Sequence, residues 1–83
     1  MVYHVTHVKI KGAEQTPIDM LSDRELQVML MLSDGHTTKE IANSLSLGEK
    51  TINTYRYRLY DKLQVHCDVA LARIAIEYGL IEL

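Results

Sequence analysis

The 83-residue sequence predicts an all-α fold of four helices, and three observations carry the prediction. Ser22 with Glu25, and Thr37 with Glu40, form two S/T-x-x-E capping boxes, each ahead of an apolar-rich run. Gly35 and Gly79 supply the left-handed residue that ends such runs. Ile41, Ala42, Leu45, Leu47, Ile52 and Tyr55 are spaced so that a short helix and a longer one share one buried seam.

Residues 1–20 show no helical period. Tyr3, Val5, Val8 and Ile10, interleaved with polar residues, read as a short extended stretch, and Gly12 to Pro17 as linker. The whole segment 1–20 is therefore taken as an extended or disordered lead-in to a domain over 21–83. The first helix is placed at 23–34, capped by Ser22, with Leu26 and Leu30 as an exposed-looking i, i+4 pair. The second runs to Leu45 from the Thr37 cap. Ser46, Leu47 and Gly48 make a tight connection in which Gly48 serves as the next N-cap. The third helix covers 49–63 and the fourth 68–78, after which Leu80, Ile81 and Leu83 fold back.

A chain of this size holds one core. Its 47% apolar and 24% charged residues are ordinary for a globular fold. No apolar run approaches a membrane span of about 18 residues, and the first residues lack the order of a signal peptide. The single Cys67 cannot form an internal disulfide, so a reducing, cytoplasmic setting is expected. The net charge of −2 runs against nucleic-acid binding, but its distribution runs for it. Lys50, Arg56, Arg58 and Lys62 cluster against Asp61 alone, while acids gather at Asp19, Asp23, Glu25 and Asp34 and again at Glu77 and Glu82.

Two helices joined by about three residues over 38–57 form a helix-turn-helix layout, with Ala42 small at the crossing of the axes. The outward face of the longer helix presents Lys50, Asn53, Thr54, Tyr57 and Arg58, groups suited to phosphates or base edges. The competing reading is a helical hairpin with a solvated face that binds another protein.

Residues 21–81 resemble the DNA-binding domain of the LuxR/NarL/FixJ family of bacterial regulators. The resemblance lies in L-S-D-R-E-L-Q-V-M-L from Leu21, G-H-T-T-K-E-I-A from Gly35, G-E-K-T-I-N-T-Y from Gly48, and Lys62-Leu63. Within it, T-Y-R-Y-R-L-Y-D-K-L and D-V-A-L are most similar to the GacA/UvrY/SirA type of two-component response regulators. The resemblance implies sequence-specific binding of double-stranded DNA and transcription regulation. Lys50, Thr51, Tyr55, Arg58 and Lys62 would contact the backbone, and Asn53, Thr54 and Tyr57 would face the bases. Gly48 stands where the family usually has Ser, and Asn53 where several members carry a long basic residue. Members of that type carry a receiver domain ahead of this module, and nothing here resembles one. The chain is then expected to be either an excised output domain or a free-standing regulator. A promoter-recognition domain of a sigma factor shares the hairpin, but the polymerase-binding region that would accompany it is not seen.

The fourth helix is apolar at 69–72 and 74–76, more than one core-facing stripe needs. Val69, Ala72, Ala75 and Ile76 are expected to face the core. Ala70, Arg73, Ile74 and Glu77 would then form a dimer contact, as this helix does in the resembled family. DNA, a second copy, a receiver domain and RNA polymerase are the expected partners. No cofactor, metal, small-molecule substrate or catalysis is expected. His4 and His7 would point apart in an extended stretch, and His66 beside Cys67 lacks further ligands. Cys67 is read as partly buried. Tyr55 is read as seam, Tyr57 as groove-facing and Tyr60 as solvent or edge of core, so they form no stacking platform.

Overall fold

The computed structural model describes residues 16–81. The readings made on Tyr3 to Ile10, on 12–15 and on Leu83 lie outside them. Four helices follow in order: α1 (Asp23–Ser33), α2 (Thr38–Leu45), α3 (Glu49–Leu63) and α4 (Asp68–Glu77). The expected ends of α1 and α4 each shift by one residue, and no strand is found among the described residues. α1 touches α2, α3 and α4, and α3 packs in turn on α2 and α4.

The folded unit begins earlier than expected. Pro17–Met20 form a single 3₁₀ turn that packs against α3. Thr16 N–H donates to the Asp19 carboxylate at 2.9 Å, and Asp19 N–H to Thr16 C=O at 3.0 Å. Pro17 fixes φ where a missing N–H costs nothing. Ile18 is thereby buried in the core beside Leu21, where a linker ending at residue 20 would have left it in water.

At the start of α1 the Ser22 hydroxyl accepts from Glu25 N–H at 3.1 Å, and the Glu25 carboxylate accepts from Ser22 N–H at 2.8 Å. Past its end, Gly35 at φ 89° lets its own N–H reach Leu32 C=O and that of His36 reach Met31 C=O, both at 3.1 Å. Val28 and Met29 are fully buried, and Met31 and Leu32 nearly so. Leu26 is buried too and Leu30 packs against the core, so the expected exposed pair is corrected. A helix with three neighbours has apolar surface to cover on more than one side.

The second capping box is also formed, at 3.1 Å and 2.9 Å between Thr37 and Glu40. Ile41 and Ala42 of α2 are buried with Ile52 of α3, which is the predicted seam. Ser46 turns the chain at φ 56°, and Leu47 N–H closes the turn on Ala42 C=O at 2.9 Å. Gly48 caps α3 with backbone alone, at φ −80°. Nothing lies within 4 Å of a Cβ added there. Gly48→Ser should therefore raise stability by a few tenths of a kcal/mol by supplying the missing acceptor. A higher urea midpoint at unchanged slope would show it, and a lower midpoint would refute it.

In α4 the core-facing line is Leu71 and Ala75, both fully buried, with Ile74 packed beside them. Val69 is 67% exposed, so the expected seam is corrected by about one residue's worth of rotation, roughly 100°. Cys67, the N-cap residue, is exposed where partial burial was expected. Gly79 at φ 72° then turns the chain, Leu80 N–H reaches Ala75 C=O at 2.8 Å, and Leu80 and Ile81 pack on the core as expected.

Candidate nucleic-acid interface

α3 is amphipathic about a line of Ile52, Leu59 and Leu63, all buried. Opposite them Lys50, Thr54, Tyr57 and Asp61 succeed one another at helical spacing, with Thr51 and Arg58 beside them, and all six are exposed. The Thr54 hydroxyl donates back to Lys50 C=O at 3.0 Å, which leaves its lone pairs outward as acceptors. Tyr57 is 65% exposed, and its ring stands edge-on to Tyr60 at 5.9 Å between centroids. Arg58 carries its guanidinium 6.0 Å from the centroid of Tyr55, itself half-buried against the core. That cation–π contact steadies a long cationic side chain without neutralising it. Asp61 marks where the line ceases to suit a polyanion.

Ion pairs hold α3 on both flanks. On one, the Lys62 ammonium donates to Glu25 Oε1 at 2.7 Å and to Met20 C=O at 3.1 Å. Glu25 is 3% exposed. Burial pushes its carboxyl up, but the Lys62 and Ser22 hydrogen bonds and the Lys62 charge hold it below the ordinary carboxylate range. On the other flank Arg56 grips Asp68, the first residue of α4: Nε donates to Oδ1 at 3.1 Å and Nη2 to Oδ2. Tyr60 donates its hydroxyl to Asp68 Oδ1 at 2.6 Å. Burial, that hydrogen bond and the Asp68 charge push the phenol up to about 12. Asp68 is lifted by burial but held low by Arg56 and Tyr60, while Asp68 raises Arg56.

The structure thus brings Lys50, Thr51, Thr54, Tyr57 and Arg58 together on one open face. Asn53 is half-buried on the α4 side of that face, and Tyr55 on the opposite side. Lys62 departs from the expectation: its charge is directed onto the buried Glu25 carboxylate, which pairs with no other cation among the described residues. Two of the four clustered cations, Arg56 and Lys62, are paired internally, so the open face is less basic than the sequence count indicates. Sequence reasoning missed Arg56, Tyr60 and Asp68 as a network. Arg56 and Asp68 lie twelve residues apart across a turn, a spacing no helical rule flags. In α4, Arg73 and Glu77 are exposed as expected, whereas Ala70 and Ile74 are half-buried. Among the described residues no three His, Cys, Asp or Glu side chains converge as a metal site, and no helix is long and apolar enough to cross a membrane.

A family model described as bacterial regulatory proteins, luxR family, matches residues 19–75. The chain is 48% identical over 66 residues to response regulator UvrY of Escherichia coli K12, covering 80% of this chain and 30% of that protein. It is 43% identical over 67 residues to response regulator GacA of Pseudomonas aeruginosa, covering 81% and 31%. To GacA of Pseudomonas protegens it is 39% identical over 70 residues, covering 84% and 33%. The chain spans about a third of the length of these relatives.

Proposed function

We propose that this chain, which belongs to the luxR family of bacterial regulatory proteins, is the sequence-specific output module of a two-component response regulator. One observation carries the reading: α3, braced by α2 across a buried seam, leaves Lys50, Thr51, Thr54, Tyr57 and Arg58 uncovered on a single face of a 15-residue helix. A helix of that shape and polarity fits the major groove of double-stranded DNA. Lys50, Thr51 and Arg58 meet phosphates, Tyr55 supports Arg58 from the flank, and Thr54, Tyr57 and Asn53 meet base edges. Lys62 acts from inside, by holding α3 to α1. The work is recognition without chemistry, carried out in the cytoplasm; the relatives' description as response regulators supports a receiver domain as the source of the signal, and RNA polymerase is its proposed target.

Binding to a duplex should weaken steeply with salt. Lys50 and Arg58 alone give a slope of about −2 per bound domain in log K against log salt. Lys50→Ala should reduce that slope by about one and weaken specific and unrelated duplexes alike. A flat salt dependence would favour the protein-interaction reading of the same face, and loss confined to one preferred sequence would remove Lys50 from the phosphate contacts.

The side of α4 turned away from Leu71 and Ala75 fits a second copy, with Val69 and Arg73 exposed and Ala72 and Ile76 half-buried. Its stripe is Val69, Ala72, Arg73 and Ile76, with Ala70 and Glu77 at the margin, in place of the expected centre at Ile74.

A further inference from the structure

Arg56 lies between two groups that the reading above treats separately. Its Nε and Nη2 are fixed on the Asp68 carboxylate at the start of α4, a two-pronged geometry that leaves the guanidinium plane little freedom. The third nitrogen, Nη1, faces Asn53 Oδ1 at 3.5 Å, one turn back along α3. The contact is long, but its sense is set by charge. A cation beside a carboxamide attracts the oxygen end and repels the NH₂ end, so the amide of Asn53 has one favoured orientation. Tyr60 closes the cluster by donating to the same carboxylate, which keeps Asp68 ionised and in place.

We infer that Arg56 is a positioning residue for base recognition, holding Asn53 with its oxygen turned toward the α4 flank and its NH₂ toward the groove. This rests on the proposed placement of α3 in the major groove. An asparagine free to rotate offers a donor and an acceptor together, the pair that matches the N6 and N7 edge of adenine. With Oδ1 turned to Arg56, Asn53 meets the groove as a donor. It then favours an edge of acceptors alone, O6 and N7 of guanine or O4 of thymine, over the mixed edge of adenine and the N4 donor of cytosine. Because Asp68 opens α4, the same cluster ties the orientation of a base-reading side chain to the seating of the helix that faces a second copy.

The test uses the 83-residue chain, duplex selection from a random pool, and binding to an unrelated duplex. Wild type should select guanine or thymine over adenine and cytosine opposite Asn53. Arg56→Met should relax the preference at that base pair by about tenfold, the other base pairs and unrelated-duplex affinity changing far less. In an Asn53→Ala background Arg56→Met should change no base preference, because its influence passes through Asn53. Asp68→Asn, which keeps the shape and removes the charge, should give a weaker version of the same relaxation. Should Arg56→Met prove poorly folded, ¹⁵N relaxation of the Asn53 side-chain amide in the wild-type chain decides the point: an ordered NH₂ is expected, and one as mobile as an exposed asparagine overturns the inference. Unchanged selection by Arg56→Met, or an equal effect with Asn53 already removed, overturns it also. Failure of the wild-type chain to bind any duplex with a salt-dependent affinity would overturn the placement of α3 instead.

Discussion

Lys62→Ala should destabilise the domain by about 2 kcal/mol while leaving the salt slope of DNA binding unchanged. Removing one partner of a buried ion pair costs roughly 3–5 kcal/mol, and Lys62 is itself about a third exposed, so water offsets part of that loss. What remains is a buried carboxylate with its Ser22 hydrogen bonds and no cation, together with a free Met20 carbonyl. For a domain of this size the melting temperature should fall by about 10 °C. Glu25→Leu combined with Lys62→Met should recover most of the loss, since neither charge is then left alone. The pH dependence has a definite sign. Glu25 sits below its ordinary value of 4.5 in the folded chain, so the pair contributes fully above pH 4.5 and is lost as pH falls through the folded value. The stability gap between wild type and Lys62→Ala should therefore close in acid, below about pH 4.5. Urea titrations at pH 7 and at successively lower pH below 4.5 measure both. A loss under about 0.5 kcal/mol with a salt slope reduced by one would return Lys62 to the phosphate contacts.

Local signals carried most of the fold. The capping boxes at Ser22 and Thr37 and the left-handed glycines at 35 and 79 act within a few residues, and each formed as read. Thr16-Pro17-Ile18-Asp19 holds the same kind of signal, but Pro17 is equally the mark of a linker's end. Tertiary pairing was less legible. Glu25 and Lys62 are 37 residues apart, and either alone looks like a surface charge. Only the packing of α1 on α3 turns one of them inward. The open face of α3 was legible because Ile52, Leu59 and Leu63 fix its opposite side. α4 was not, because a helix with apolar residues nearly all round has no period from which to read its rotation.

That rotation decides the other large expected effect, which separates two isoleucines two residues apart. Both are half-buried, but Ile74 packs against the core beside Leu71 and Ala75, whereas Ile76 lies on the outer side with Val69, Ala72 and Arg73. Residues 69, 72, 73 and 76 fall at spacings of three, one and three, one continuous stripe that a two-fold axis sets against itself. The stripe is short and two of its members have small or medium side chains, so the area it buries falls below the roughly 1,200 Å² of a stable complex. The free domain should be monomeric, and pairing should appear only when two half-sites about one helical turn apart raise the local concentration. Ile76→Asp should then leave binding to a single half-site nearly unchanged and abolish cooperative filling of the paired site, weakening it by about tenfold or more, which corresponds to about 1.4 kcal/mol of lost contact. Ile74→Asp should behave differently. A carboxylate set against the core costs about 2 kcal/mol or more, so the variant should melt lower and lose single and paired sites together. Mobility-shift titrations on one and two half-sites, read beside thermal melts, distinguish the two patterns. If Ile76→Asp filled paired sites as cooperatively as wild type while a folded Ile74→Asp did not, the dimer contact would centre on Ile74 and the outer stripe would be an ordinary solvated face.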